Sequence, residues 1–290
     1  MVEIIEEHRG AACRAKGDAE GPVFNRRYVV QLEDGAAVES VLYRGDSLCV
    51  SSQVGCAVGC PFCASGANGL SRNLELDELI GQVEAVDAAI ADQGAGFGVR
   101  RVTVSGVGEP LHNPAVPKFV SWCRARSTPA SITTSGGPLR RLGEWLSDDA
   151  PPHNGISLSI HAGNESTRAR TVPRGPALDP LFELLRERVP SISGARRRKL
   201  ALAYLLLADL NDDDDELDAF LRRAEPLGLK IHLYSYNPVP TSTQSRTNEA
   251  RYEAAFERMR ARGLDVRRSS QARIEDNGGC GTLVALRGRQ

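Results

Sequence analysis

Apolar residues recur at intervals of three and four positions between residues 75 and 94, which predicts an amphipathic helix. Leu76, Leu79, Val83, Val86 and Ile90 fall on one face of that helix. Four further helices are predicted at 117–126, at 179–189, from an acidic start at 211–216, and at 249–262. The acids at 211–216 favour a helix N-terminus, which is a simpler explanation than a divalent metal site.

Short runs rich in β-branched and apolar residues alternate with these helices and predict strands. They lie at 48–52, 101–105, 130–135, 155–161, 199–207 and 230–236. Strands and helices that alternate at this spacing form a parallel sheet with right-handed crossovers. Six such units predict an α/β fold, a partial (β/α)6 barrel similar to an incomplete TIM barrel.

The segment before the first of these strands predicts a small β extension. Asp34-Gly35 separates two β-rich runs within residues 26–40, a pattern typical of a hairpin. Residues 1–24 are polar and show no strong period, so we describe them as a short polar lead. We therefore divide the chain into a lead and hairpin, 1–47, and a core, 48–290.

Composition restricts the function classes. The 290 residues carry 36 basic and 37 acidic side chains, so the net charge of −1 provides no overall attraction to nucleic acid. The sequence contains no apolar run of the roughly 18 residues that a spanning helix needs. An odd number of cysteines, seven, and no apolar signal stretch after Met1 argue against disulfides and predict a cytoplasmic protein.

Four of the cysteines lie within fifteen residues and predict a metal centre. They are Cys49, Cys56, Cys60 and Cys63, and the last three have C-x3-C-x2-C spacing. Three thiolates on a four-iron cluster leave one iron open for chemistry. A structural zinc site needs four ligands, and Cys49 or a distant histidine could supply the fourth. The spacing favours the cluster and leaves zinc as the alternative.

Polar residues follow several predicted strands at the end where such folds place their sites. They occur at 106–109, 133–136 and 159–161, and at Asn237. Because the carboxyl ends of parallel strands share one edge of the sheet, these residues are expected to face the cysteine loop.

These motifs together resemble the RlmN/Cfr family, the class A methyltransferases of the radical S-adenosylmethionine (SAM) superfamily. The segments that carry the resemblance are CVSSQVGC at 49–56, GLSRNL at 69–74, GEPLHN at 108–113, SIHA at 159–162, YNP at 236–238 and GCG at 279–281. Similarity extends from about residue 26 to the C-terminus. It implies a 4Fe–4S cluster on Cys56, Cys60 and Cys63, with SAM on the open iron.

The resemblance also implies a reaction. One SAM methylates Cys280, and a second, cleaved at the cluster, gives a 5′-deoxyadenosyl radical that takes a hydrogen from methyl-Cys280. The resulting methylene radical adds to an sp2 carbon of the substrate. Cys49 then assists release by proton removal and disulfide formation with Cys280. An electron-donor protein such as flavodoxin or ferredoxin is implied as a partner.

The resemblance assigns five further residues to SAM. Glu109 is expected to accept the SAM amino group, a role that suits a carboxylate. The remaining residues match family positions around the SAM ribose and methionine moieties: Ser135, Ser159, His161 and Asn237.

Departures from the family pattern affect the substrate. Ribosomal members carry an N-terminal RNA-binding domain, and only about two dozen residues precede the hairpin here. We therefore expect an adenine-like nucleotide or heteroaromatic small molecule as substrate. The alternative is an adenine in ribosomal or transfer RNA, bound through basic stretches such as 196–199 and 267–268. An alternative of another class is a non-methylating iron–sulfur or zinc-binding protein.

Overall fold

The computed structural model describes residues 2–14, 22–92, 98–268 and 281–287. The strands in these ranges are β1 Glu3–Arg14, β2 Pro22–Gln31, β3 Ala37–Tyr43, β4 Ser47–Val50, β5 Gln53–Gly55, β6 Leu70–Asn73, β7 Arg101–Val104, β8 Ala130–Thr134, β9 Gly155–Ser159, β10 Leu200–Leu206, β11 Lys230–Ser235 and β12 Val266–Arg268. The helices are α1 Leu76–Asp92, α2 Val116–Ala125, α3 Leu139–Trp145, α4 Glu165–Thr171, α5 Leu178–Arg188, α6 Gly194–Arg197, α7 Asp214–Ala224, α8 Glu249–Ala261 and α9 Thr282–Arg287.

Ten strands form one continuous sheet in the order β1-β2-β3-β4-β7-β8-β9-β10-β11-β12. The pairs from β1 to β4 are antiparallel, and every pair from β4 to β12 is parallel. The parallel part, with helices between its strands, confirms the predicted α/β partial barrel and the β2–β3 hairpin. The pairing changes at β4, next to the predicted boundary at residue 48, and the division into two domains stays a prediction.

Four strands were not predicted from the sequence: β1 and β12 in the large sheet, and β5 and β6, which pair with each other. Residues 3–14 form β1 and pair antiparallel with β2, from Glu3 opposite Gln31 to Arg14 opposite Pro22, so a strand lies within the lead that showed no period. An edge strand keeps one side against solvent and carries charged residues, which hides its period-two pattern. Residues 266–268 form a short parallel edge strand, β12, beside β11.

Along the parallel strands, buried apolar side chains alternate with half-exposed polar ones. Val102, Ile132, Leu158 and Leu202 are buried on the outer face and join the helices in one hydrophobic core. The inner face borders a hollow of about 310 Å³ that touches both β7 and β11. In a flat sheet these two strands would lie about 19 Å apart, so the sheet curves around the hollow as an open barrel does.

The acidic run before α7 forms a helix cap, as expected. The Asp213 side chain accepts the Glu216 backbone N–H at 2.8 Å. None of the helices in the described ranges is long and apolar enough to cross a membrane.

Candidate active site

The cysteine loop leaves β5 and is folded tightly on its own backbone. The Cys56 N–H donates to the Gly69 carbonyl at 3.0 Å, and the Cys63 N–H donates to the Cys60 carbonyl at 3.1 Å. Gly55 has a φ of +78°, and a Cβ there would lie 1.8 Å from the Gly69 oxygen. Only glycine permits this approach, which turns the chain into the loop.

The three spaced cysteines are free thiols that lie within electrostatic reach of one another. Burial raises the pKa of Cys56 to about 11, and the Cys63 thiolate adds to the shift. Burial also raises the pKa of Cys60, with the Cys63 and Cys56 thiolates as the next contributions. Three mutually repelling thiolates require positive charge between or beside them.

This donor set fits a cluster of several irons. Among the described residues, no three His, Cys, Asp or Glu side chains are spaced for a single metal ion. A 4Fe–4S cluster held by three cysteines needs one thiolate for each of three irons. The cysteine loop supplies donors of that type and number, and the assignment of Cys56, Cys60 and Cys63 as the ligands stays a prediction.

Glu109 lies just past β7, buried, with every lone-pair direction of its carboxylate engaged. Oε1 accepts from the Leu111 N–H at 3.1 Å and the Thr134 hydroxyl at 2.5 Å. Oε2 accepts from both the N–H and the hydroxyl of Ser135, each at 2.7 Å. Two of the predicted SAM-binding residues are thus in direct contact. An incoming ammonium group would replace a hydroxyl donor, and hydroxyls can rotate away.

Arg168, on α4, holds the strand ends together beneath the cysteines. It is 1% exposed. Its guanidinium donates to four carbonyl oxygens: Ser135 at 2.7 Å, Ser159 at 2.7 Å, Ile160 at 2.7 Å and Pro176 at 3.0 Å. Its charge lowers the pKa of Cys60, against the larger effects of burial and the two thiolates. Arg168 is thus a buried positive charge within electrostatic reach of the cysteine loop.

Sequence reasoning missed Arg168. Arg170 lies two residues later in the same helix and is exposed, and nothing in the sequence around them separates the buried arginine from its neighbour. Ser159, a predicted SAM contact, is joined to Ser135 through the carbonyl oxygens that Arg168 bridges.

His161 is neutral and fixed in orientation. Burial, together with the smaller effect of the Arg168 charge, lowers its pKa to about 3. Its Nδ1 accepts the Leu205 N–H at 3.0 Å, which leaves the proton on Nε2. The ring meets Phe62, the residue before Cys63, edge-on at a centroid distance of 5.4 Å. His161 thus lies against the cysteine loop, and its role as a cofactor contact stays a prediction.

Asn237 follows β11 on the same rim. Its Oδ1 accepts from Arg246 at 3.4 Å. The preceding Tyr236 packs in a small apolar cluster with Phe62, and the Cys63 thiolate contributes to the raised pKa of its hydroxyl, after burial. The loop after β11 therefore borders the cysteine loop.

Cys49 lies apart from the other three cysteines, on the inner face of β4. It is buried, and its Sγ is 3.1 Å from the Ser105 hydroxyl. Cys280, its predicted partner, lies outside the described residues.

The residues that follow position 280 return to the cysteine loop. Gly281 has a φ of +82°, and a Cβ there would lie 2.7 Å from Ser65 Oγ and 3.0 Å from the Ser65 backbone N. The Leu283 N–H, at the start of α9, donates to Glu39 Oε2 at 3.1 Å. Glu39 is on β3, and the Cys49 thiolate contributes to its raised pKa. The end of the described chain thus contacts both the cysteine loop and β3.

This contact predicts a pH-dependent stability. Burial raises the pKa of Glu39 from 4.5 to about 7. Between these pH values the folded protein keeps a proton that the unfolded chain releases, so stability falls as pH rises. The fall is at most about 3 kcal/mol. In urea unfolding from pH 4.5 to 7.5, Glu39→Gln is expected to lose this fall. The control Glu84→Gln, at an exposed carboxylate, should keep the fall in stability with pH. If stability falls with pH in Glu39→Gln as steeply as in wild type, Glu39 is not the group responsible.

Comparison with known proteins identifies the arrangement. The Radical SAM superfamily profile matches residues 50–221. The chain is 33% identical over 263 residues to a probable RNA methyltransferase of Aromatoleum aromaticum, covering 89% of this chain and 71% of that protein. It is 33% identical over 276 residues to a probable dual-specificity RNA methyltransferase RlmN of Rhodopirellula baltica, covering 90% and 71%.

A solved structure supports the same family relationship. A radical SAM methyltransferase from Sphaerobacter thermophilus superposes with a TM-score of 0.76 at 28% identity, over 94% of this chain and 80% of that one. The superfamily uses a 4Fe–4S cluster and SAM, and these are the cofactors of this protein. The chain belongs to the radical SAM superfamily and, within it, to the RlmN-type methyltransferases.

Proposed function

We propose that this protein is an RNA methyltransferase that transfers a methyl group from SAM, through Cys280, to an sp2 carbon of an adenine base. The relatives named above are RNA methyltransferases. They favour RNA, the alternative from the sequence, over the small-molecule substrate expected first. We also propose a cytoplasmic location, because free thiols and an iron–sulfur centre suit a reducing compartment.

One observation carries the carrier role of Cys280. Gly281 lies against Ser65, two residues after Cys63, at a distance that leaves no room for a side chain. Because Cys280 is bonded to Gly281, a methyl group on Cys280 is tethered to the cysteine loop. A thiolate is the best side-chain nucleophile for accepting a methyl group from SAM.

The remaining roles are those that the family resemblance implies, and the contacts described above support them. Cys56, Cys60 and Cys63 would hold the cluster, which with SAM supplies the radical chemistry that an unreactive aromatic carbon requires. Glu109 would accept the SAM amino group as the Ser135 hydroxyl turns aside. His161 would present its Nε2–H, and Ser159 and Asn237 would line the same rim. Arg168 would balance the thiolate charge. A flavodoxin- or ferredoxin-like protein would supply the electron.

Cys49 would act after the methylene group is joined to the base. Once one electron has left the radical adduct, the Cys49 thiolate would remove the proton from the substituted ring carbon. After giving up that proton, it would attack the Cys280 sulfur, so that the S–S bond forms as the Cys280 S–CH2 bond breaks and the released carbon takes up a proton to become the methyl group of the base. The Ser105 hydroxyl, 3.1 Å from its Sγ, can hydrogen-bond the thiolate and hold it in place.

A labelling experiment tests the proposal. The protein is reconstituted anaerobically with iron and sulfide, reduced with dithionite, and incubated with methyl-labelled SAM. Transfer RNA, ribosomal RNA and a mixture of free adenine nucleotides are offered in separate reactions. Label in RNA adenine is the expected result. Label found only in free nucleotides would overturn the RNA assignment. Absence of 5′-deoxyadenosine in every reaction would contradict the proposal that the protein is a radical SAM enzyme.

A further inference from the structure

The hollow inside the barrel is lined by hydroxyl groups where a complete barrel carries bulky apolar side chains. Thr103, Ser131, Thr133 and Ser157 border it from three successive strands. The strand register places Thr103 beside Ser131 and Thr133 beside Ser157, so all four share the inner face. None of these side chains fills the space, which remains open at about 310 Å³.

One hydroxyl group in the hollow lacks a protein partner. The Ser157 Oγ is buried and makes no hydrogen bond to any described residue. An unsatisfied buried hydroxyl costs free energy. Less than 1 Å² of the Ser157 Oγ is exposed, so the side chain must rotate before it can bond a ligand in the hollow and offset that cost. The hollow is therefore suited to a polar ligand.

Three cations border the N-terminal end of the same hollow. Arg198 and Lys199 connect α6 to β10, and Lys230 is the first residue of β11. Lys230 pairs with Ala201, two residues after Lys199, so the two lysines start neighbouring strands.

These cations are uncompensated. Within the described part of the chain, none of the three forms an ion pair with a carboxylate. By contrast, nearby Arg196 pairs with Asp148 at 3.6 Å, and Arg267 with Asp265 at 3.6 Å. Cations gathered at a concave site without carboxylates create a field that attracts anions.

The distance between these cations and the rim that carries the predicted SAM contacts suits a nucleotide. Lys199 precedes Ala203 by four residues, and Ala203 pairs with Ser159 at the rim that carries the predicted SAM contacts. Four residues of strand span about 13 Å. A base inside the hollow would face the rim, while its phosphates would face the lysines, whose long side chains shorten the gap.

We propose that Arg198, Lys199 and Lys230 form a phosphate-binding site for the substrate nucleotide, whose base enters the hydroxyl-lined hollow toward the cysteine loop. The inference rests on the proposed function for its choice of RNA as the source of the phosphates. The RNA then enters from the end of the barrel opposite the cluster.

The test compares two triple variants of equal charge change. Arg198→Gln/Lys199→Gln/Lys230→Gln removes the site. Lys118→Gln/Arg186→Gln/Arg222→Gln removes three exposed cations from α2, α5 and α7. Iron content and melting temperature must match wild type in both. Binding of a short adenine-containing single-stranded RNA is measured by fluorescence polarisation as salt is varied. Inhibition of that binding by adenosine 5′-monophosphate is measured alongside.

The site variant is expected to bind this RNA up to about a hundredfold more weakly at 0.1 M salt. Its salt slope should fall by about 2, since each single-strand phosphate contact contributes about 0.7. The control variant should match wild type. Equal RNA affinity and equal nucleotide binding in all three proteins would contradict the proposed phosphate-binding site.

The nucleotide measurement separates the two sources of phosphate. In one outcome, wild type neither binds nor methylates RNA but binds adenosine 5′-monophosphate directly, and only the site variant loses that binding. This outcome would support the phosphate-binding site and contradict the RNA function. If wild type methylates RNA and the site variant binds it like the control, the function stands and the site fails.

Discussion

A Cys280→Ala variant is expected to lose methyl transfer to RNA by at least about a thousandfold, because the covalent carrier of the methyl group is gone. Its iron content and its visible absorption after reconstitution should match wild type, because the three predicted cluster ligands are unchanged. The measurement is label transfer from SAM to RNA together with mass spectrometry of the protein, which should find a methyl group on Cys280 only in wild type.

Two cysteine variants serve as controls for this result. Cys60→Ala should lose both iron and methyl transfer, since two thiolates cannot hold the cluster. Cys123→Ala should lose neither, because Cys123 is a buried thiol on α2, remote in the fold from the cysteine loop, and burial raises its pKa to about 12. Methyl transfer that survives in Cys280→Ala would refute the carrier role, whatever the iron content.

An Arg168→Met variant is expected to be less stable than wild type by about 3–5 kcal/mol. Methionine occupies a similar length but donates nothing, so the carbonyls of Ser135, Ser159, Ile160 and Pro176 lose their donor. Each buried unsatisfied carbonyl costs roughly 1–3 kcal/mol, partly relieved by water. Urea unfolding of the protein without iron measures the change apart from any effect on the cluster.

Arg170→Met on the same helix is the matched control, because Arg170 is exposed, and it should stay within about 0.5 kcal/mol of wild type. Arg168→Lys keeps the charge but reaches fewer carbonyls. It should therefore retain more iron than Arg168→Met while losing part of the stability. A loss below about 1 kcal/mol in Arg168→Met would show that the strand ends do not depend on this contact.

The hydrophobic pattern predicted most of the helices and parallel strands, because burial of one face imposes a period that survives in the sequence. The stripe Leu79, Val83, Val86 and Ile90 lies buried on α1, as expected. The first strand was missed because an edge strand needs no such pattern. The short helices α3, α4 and α6 were missed because four to seven residues are too few to show a period.

The sequence could predict those parts of the candidate site whose residues lie close together along the chain. Cys56, Cys60 and Cys63 are adjacent along the chain, so their convergence needs little folding. Glu109 and Ser135 are 26 residues apart, and only the parallel pairing of β7 with β8 brings their side chains to 2.7 Å.

The sequence by itself determined the fold class, the cluster motif and the family, because periodicity and local spacing do not depend on distant contacts. The tertiary structure alone decided that Arg168 is a buried cation, that Gly281 lies against Ser65, and that Lys199 and Lys230 border one polar hollow. Each of these depends on which segments the sheet brings together. The burial and the partners of a side chain depend on which segments pack together, so they cannot be read from a single segment of sequence.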